Sequence, residues 1–250
     1  MTTLPEKTRA PAPKRSFSDL LLTLGRPLLR ISLFLYLREV RDGVYPRDLP
    51  VRTLAGSRTL TLLFFGDITV SGHGVLSYGL TVEARTSDFV AAATDRGVHW
   101  DVVSAADLTM AQVAGRSTLD AQGVDVVLLL MGIPDVLLIT RSEQWARDLR
   151  CVVAAVKREA GEDARVVVAG IPPMSDFRPI PSPLRGLIDK QVHRLNEASR
   201  AVAESDDSVV YLPFPIERVS EMYIQQQFSW RTMHALWARS LADAVVARLP

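Results

Sequence analysis

From residue 59 onward, apolar runs of strand length alternate with longer stretches of helical period. Residues 59–65 (TLTLLFF), 99–103 (HWDVV), 124–131 (VDVVLLLM), 165–171 (RVVVAGI) and 208–214 (SVVYLPF) read as strands. Their near-continuous apolarity implies burial on both faces, hence a parallel sheet covered by helices. Between and after them, residues 87–96, 110–114, 142–160, 184–204 and 230–248 read as helices, the last two with Leu, Val, Ile and Ala on one face. The pattern predicts a three-layer α/β domain over residues 59–250. Ligands of such sheets sit beyond the carboxyl ends of the strands, so the turns there are where chemistry is expected.

Upstream the pattern differs. Residues 1–16, rich in Pro, Lys, Arg and Thr, have little to bury and read as a disordered leader. Apolar residues dominate 17–40, but Asp19, Arg26, Pro27 and Arg30 interrupt them. No uncharged run of about 18 residues forms, which argues against a spanning helix or a signal peptide. Leu24, Leu28, Ile31 and Leu35 recur at helical spacing, with Gly25 and Pro27 placed to end one helix and begin another. Residues 17–58 are therefore expected to form an amphipathic helical extension, becoming a linker over 38–58 where Pro46, Pro50 and Gly56 punctuate the chain. The helix is expected to pack across the main domain. Peripheral membrane contact through residues 17–41, or a partner protein, is the competing expectation.

Composition narrows the function. At 250 residues, 48% hydrophobic and 23% charged, the chain is that of an ordinary globular protein, not a disordered, collagenous or coiled-coil one. Four histidines (His73, His99, His193, His234) and the single Cys151 leave no disulfide framework and no Cys-based zinc site. Cys151, between apolar helical residues, is expected as a buried filler, His99 as structural and His193 as solvated. The net charge of +1 offers no general field for nucleic acid, so no nucleic-acid partner is expected. That charge is uneven: residues 1–58 hold eleven Lys/Arg against five Asp/Glu, so the remainder carries −5. Gly72-His73-Gly74 hints at a phosphate cradle, but neither G-x-G-x-x-G nor the Gly-Lys-Ser/Thr of a P-loop is present. No cofactor and no metal are expected, and the location is expected to be cytoplasmic.

Three loops carry the informative residues: Gly66-Asp67-Ile68-Thr69 after the first strand, Gly132-Ile133-Pro134-Asp135 after the third, and Gly170-Ile171-Pro172-Pro173-Met174 after the fourth. In this order the chain resembles the SGNH (GDSL-type) hydrolases, a family of esterases and lipases. The resemblance implies a three-layer α/β/α, flavodoxin-like fold with a five-stranded parallel sheet, here with an N-terminal helical extension. It also implies a Gly-Asp-Ser nucleophile turn, oxyanion donors from a second-loop Gly and a Gly-x-Asn-Asp loop, and a C-terminal Asp-x-x-His.

Position by position the chemistry is missing. The nucleophile position is Ile68, whose hydrocarbon cannot attack a carbonyl. The second-loop position is Asp107, whose carboxylate would repel an oxyanion by about 4 kcal/mol at 4 Å and an effective dielectric near 20. The Asn position is Pro134, and losing such a donor costs about 3–4 kcal/mol of transition-state stabilisation. The acid and base positions are Gln226 and Ser229, neither of which can serve as the base. Gly66, Asp67, Gly132 and Asp135, which shape the turns, remain.

What this implies is a catalytically inactive relative that binds or scaffolds. Its partner would be a protein or a small acyl- or sugar-like ligand in a crevice formed by Gly66, Asp67, Ile68, Asp107, Gly132, Pro134, Asp135, Phe228 and Trp230. The alternative is an active esterase with a relocated nucleophile: Ser71, about 4.5 Å further along a helix than Ile68, served by His73 or His234. Trp230 and Trp237, seven apart, are expected as a core stripe.

Overall fold

A computed structural model of the protein describes residues 33–177, 182–225 and 227–249. The expected leader, and the extension as far as residue 32, lie outside the described residues.

The chain builds one six-stranded sheet from β1 (Thr53–Leu54), β2 (Ser57–Gly66), β3 (Arg96–Ser104), β4 (Val126–Leu130), β5 (Arg165–Ala169) and β6 (Val209–Leu212), in the order β1-β3-β2-β4-β5-β6. The five longer strands pair in parallel. Their order is the flavodoxin-like 2-1-3-4-5 expected of the family. The sixth strand corrects the five-stranded expectation and part of the expected linker: β1 pairs antiparallel with β3, setting Thr53 opposite His99. Two residues show no periodicity to read. What holds this edge is Trp100, whose backbone N–H donates to Arg52 O (2.9 Å) and whose indole N–H donates to Val51 O (3.1 Å).

Eight helices cover the sheet among the described residues: α1 (described over 33–41), α2 (Val82–Thr94), α3 (Met110–Ala114), α4 (Ile133–Leu137), α5 (Ser142–Ala160), α6 (Met174–Phe177), α7 (Ser182–Glu204) and α8 (Trp230–Val246), of which α4 and α6 lie outside the expected set. The pleat divides the core. Leu62, Phe64, Val126, Leu128 and Val167 face α2 and α8, while Leu63, Phe65, Val127, Leu129 and Val166 face α5 and α7. Both sets are buried, which is why the strands read as continuous apolar runs.

The largest helix-boundary error is α2, which begins at Val82 rather than 87. Thr86 and Ser87 are buried yet polar, and they satisfy themselves on their own helix, donating to Val82 O (2.7 Å) and Glu83 O (2.9 Å). Asp95, in the left-handed region at φ 54°, ends the helix, so residue 96 opens β3 instead of closing a helix. Cys151 is exposed, not buried as expected. His193 is exposed, as expected.

The short α3 survives on its cap. Thr109 accepts the Gln112 backbone N–H (3.3 Å) while the Gln112 side chain accepts the Thr109 backbone N–H (2.7 Å), a reciprocal capping box. Thr109→Ala should lower stability by about 1 kcal/mol, read as a fall of roughly 2–4 °C in the thermal midpoint.

Candidate functional site

The sheet's switch point lies between the carboxyl ends of β2 and β4, where the loops after Gly66 and Leu130 diverge. Asp67 ties them together. Its Oδ1 accepts the Thr69 N–H (3.1 Å), and its Oδ2 accepts the N–H groups of Gly132 (3.0 Å) and Ile133 (2.9 Å). Complete burial pushes this carboxyl up to about 6 against the pull of those donors. Gly132 has to be glycine: φ is +136°, and a Cβ there would lie 2.4 Å from Ile171 Cδ1. Gly66 packs as tightly, a Cβ being 2.5 Å from Leu130 O. Asp135 anchors the next element, accepting from Met110 N–H (3.0 Å) and the Thr140 hydroxyl (2.7 Å), and burial raises it too to about 6. The matched turn residues thus act as hydrogen-bonded clamps that set the geometry of the crevice.

Above these loops is a cavity of about 50 Å³. Ile68 lines it from the end of β2, where the short 3-10 turn Ile68–Val70 begins, and Ile133 lines it from the β4 side. α1 supplies another wall through Tyr36 and Val40, one helical turn apart and both buried in the same apolar cluster as Ile68 and Ile133. The helix is stapled at its end by the Tyr45 hydroxyl, which donates to Val40 O (2.6 Å).

From Tyr45 a ladder of edge-on rings runs across the crevice. Successive centroid distances are 5.5 Å to His73, 4.8 Å to Trp230, 4.9 Å to Phe228 and 5.6 Å to Tyr223. Phe228 and Tyr223 belong to a two-stranded hairpin, β7 (Tyr223–Ile224) and β8 (Gln227–Phe228), that leads into α8. Gly74 makes room for the ladder: at φ +81°, a Cβ would sit 2.1 Å from the Trp230 ring.

The structure brings Ile68, Phe228 and Trp230 to this cavity, and Gly66, Asp67, Gly132 and Asp135 to the loops beneath it. Pro134 is buried in the first turn of α4, and its neighbour Ile133 takes the wall position. Asp107 is exposed and is not among the lining residues. Ser229 is the N-cap of α8: its Oγ accepts the Thr232 N–H (3.3 Å) and lies 2.9 Å from Thr232 Oγ1. Gln226 lies outside the described residues.

The fallback trio is not assembled as a dyad in the lining. Ser71 does not line the cavity, and its hydroxyl donates within its own turn to Ile68 O (2.8 Å). His73 and His234 do line it. The His234 Nε2–H donates to the His73 carbonyl (3.0 Å), and full burial pushes this imidazole down to about 4, so it stays neutral at pH 7. Among the described residues no group of three or more His, Cys, Asp or Glu is placed to hold a metal.

α1 packs on the main domain through Tyr36 and Val40, whereas Leu35, of the apolar stripe expected for this helix, is exposed.

Fold and crevice together define an α/β/α protein of the SGNH class, with its open strand ends closed by aromatic and aliphatic side chains. The chain belongs to the GDSL-like lipase/acylhydrolase family, whose profile matches residues 64–244. Solved structures share the fold. TesA is 20% identical, with a TM-score of 0.54 over 76% of this chain and 97% of its own. The psychrotrophic esterase EstA from Pseudoalteromonas sp., solved inhibited by monoethylphosphonate, is 16% identical, with a TM-score of 0.54 over 75% and 97%. A member of the lipolytic G-D-S-L family from Veillonella parvula is 13% identical, with a TM-score of 0.51 over 76% and 100%. No curated protein sequence matches the chain.

Proposed function

We propose that this chain is a non-catalytic member of the GDSL-like family, a pseudoenzyme that binds or scaffolds in the cytoplasm. The observation that carries the reading is the identity of the residue lining the cavity at the end of β2: Ile68, flanked across the crevice by Ile133, follows Gly66-Asp67 at the position that the resemblance gives to the family's serine. Removing only a nucleophile or a base from such a machine costs about six orders of magnitude in turnover. Here the nucleophile position is hydrocarbon, and the hydroxyl at the base position is used as a helix cap. The apolar walls favour an acyl-like over a sugar-like ligand. A cavity of about 50 Å³ leaves space for little more than solvent, so either such a ligand displaces a wall or the partner is a protein that reads the closed surface.

The alternative, an esterase working through Ser71, has its own signature. The intact protein, incubated with short-chain p-nitrophenyl esters and with a serine-directed fluorophosphonate, should hydrolyse no faster than buffer and take up no label. Hydrolysis and labelling that both vanish in Ser71→Ala would overturn the proposal and establish the relocated nucleophile.

A further inference from the structure

α1 has two apolar faces, and only one is used. Tyr36 and Val40 enter the core, while Phe34 and Leu35 on the other side are 66% and 55% exposed. A single exposed leucine is unremarkable, but adjacent large apolar side chains held outward on one helix are not. The rim beside the helix continues the character. Val44 and Leu76 are also exposed, and the two segments that carry them are laced together by Gly74 N–H to Val44 O (2.8 Å) and Arg47 N–H to Leu76 O (3.4 Å).

Charge selects the occupant. Arg38 and Arg41 follow Phe34 at four and seven residues, so the three form one stripe along α1, and all are exposed; Glu39 and Asp42, exposed on the neighbouring stripe behind Leu35, equal them in number, so the helix is basic along the Phe34 stripe alone. The first 32 residues of the sequence carry six Lys/Arg against two Asp/Glu. Beyond residue 58 the chain carries −5. A negatively charged plane would therefore attract the basic N-terminal part of the sequence and repel the rest. Apolar side chains set beside basic ones are the pairing that binds a lipid interface, the first entering the acyl boundary and the second meeting the headgroup phosphates. No helix among the described residues is long and apolar enough to cross a membrane, so the contact would be with a surface.

We propose that the outward face of α1, led by Phe34, Leu35, Arg38 and Arg41, docks the protein on an anionic lipid bilayer. The full chain should co-sediment with vesicles containing about 30 mol % phosphatidylglycerol at least tenfold more strongly than with phosphatidylcholine alone. Raising the salt from about 0.05 to 0.5 M should release most of it. The double variant Phe34→Asp/Leu35→Asp, altered only at outward positions, should lose at least tenfold in binding while its thermal midpoint holds.

Wild-type protein that fails to pellet, or a double variant that pellets as well as wild type, would overturn the assignment. So would concentration-dependent dimerisation in sedimentation velocity that disappears in the double variant, because the face would then belong to a second copy of the chain. If the double variant does not fold, Arg38→Glu/Arg41→Glu replaces it under the same criteria, with loss of vesicle binding expected and retention contradicting the proposal.

Discussion

Asp67→Ala should destabilise the protein by about 3 kcal/mol at pH 7, a fall of roughly 6–12 °C in the thermal midpoint. Two effects oppose each other here. The substitution strands the buried N–H groups of Thr69, Gly132 and Ile133, all of which now donate to one carboxylate. At about 2 kcal/mol each, that is a loss of about 6 kcal/mol. Against it, the wild-type carboxylate is itself held in a dry site, and its rise from 3.8 to about 6 means that removing it relieves about 3 kcal/mol at neutral pH. The donors win. Because the three donors belong to two loops, the damage should localise: amide exchange at residues 67–70 and 131–135 should accelerate more than in the middle of β4. A midpoint within 2 °C of wild type would show that the loops keep their separation without the clamp.

Glu83→Met should do the reverse, stabilising the protein by about 3 kcal/mol at pH 8 and much less at pH 5.5. Glu83 is fully buried in the first turn of α2, neither carboxyl oxygen accepts a well-formed hydrogen bond, and burial raises it from 4.5 to about 7. A carboxyl whose folded value lies above its unfolded one holds its proton more tightly when folded. Its favourable contribution is therefore complete at low pH and is lost as the pH rises through the folded value, here near 7. Asp67 and Asp135, each near 6, act in the same direction. His234, lowered from 6.5 to about 4, acts oppositely, since its unfolded form takes up a proton first as the pH falls.

Between pH 7.5 and 5.5 the three carboxyls together outweigh the imidazole by about 2 kcal/mol, so wild type should melt several degrees higher at pH 5.5. Glu83→Met should remove the larger share of that slope. The lost helix-dipole interaction of an acidic first-turn residue, under ~1 kcal/mol, is too small to reverse the sign. A pH profile unchanged by the substitution would place the titration elsewhere.

How far the sequence could be read follows from what its residues do locally. Val126–Leu130 is buried at every position, so an uninterrupted apolar run was an unambiguous strand, and the sheet followed. The first turn of α2, residues 82–85, is hidden because Glu83 is charged by composition but buried in fact. α4, five residues long and inside a stretch expected as loop, is too short for a helical period to show, and its Pro134 sits in the first turn, where proline is tolerated. Cys151 was assigned to the core by its neighbours, yet in α5 the buried stripe runs through Leu149, Val152, Val153 and Val156 and steps over it. For the site, Asp67 and Gly132 could be found because turns need particular backbone chemistry. The partnership of Tyr36 with Ile68 could not, since a contact across 32 positions leaves no local mark.

That partnership has a kinetic side. With about 50 Å³ between α1 and the strand ends, any organic molecule entering there has to wait for a wall to leave. Over its described residues α1 is held by the buried Tyr36 and Val40, the partly buried Leu33 and Leu37 and the Tyr45 staple, while Phe34, Leu35, Arg38 and Arg41 stay outside. Entry would then be a unimolecular opening followed by capture. Observed association rates would climb with ligand concentration only to a plateau, equal to the opening rate, and far below the diffusional limit. The same latch would slow departure, so a modest affinity at this crevice would come with a long residence time.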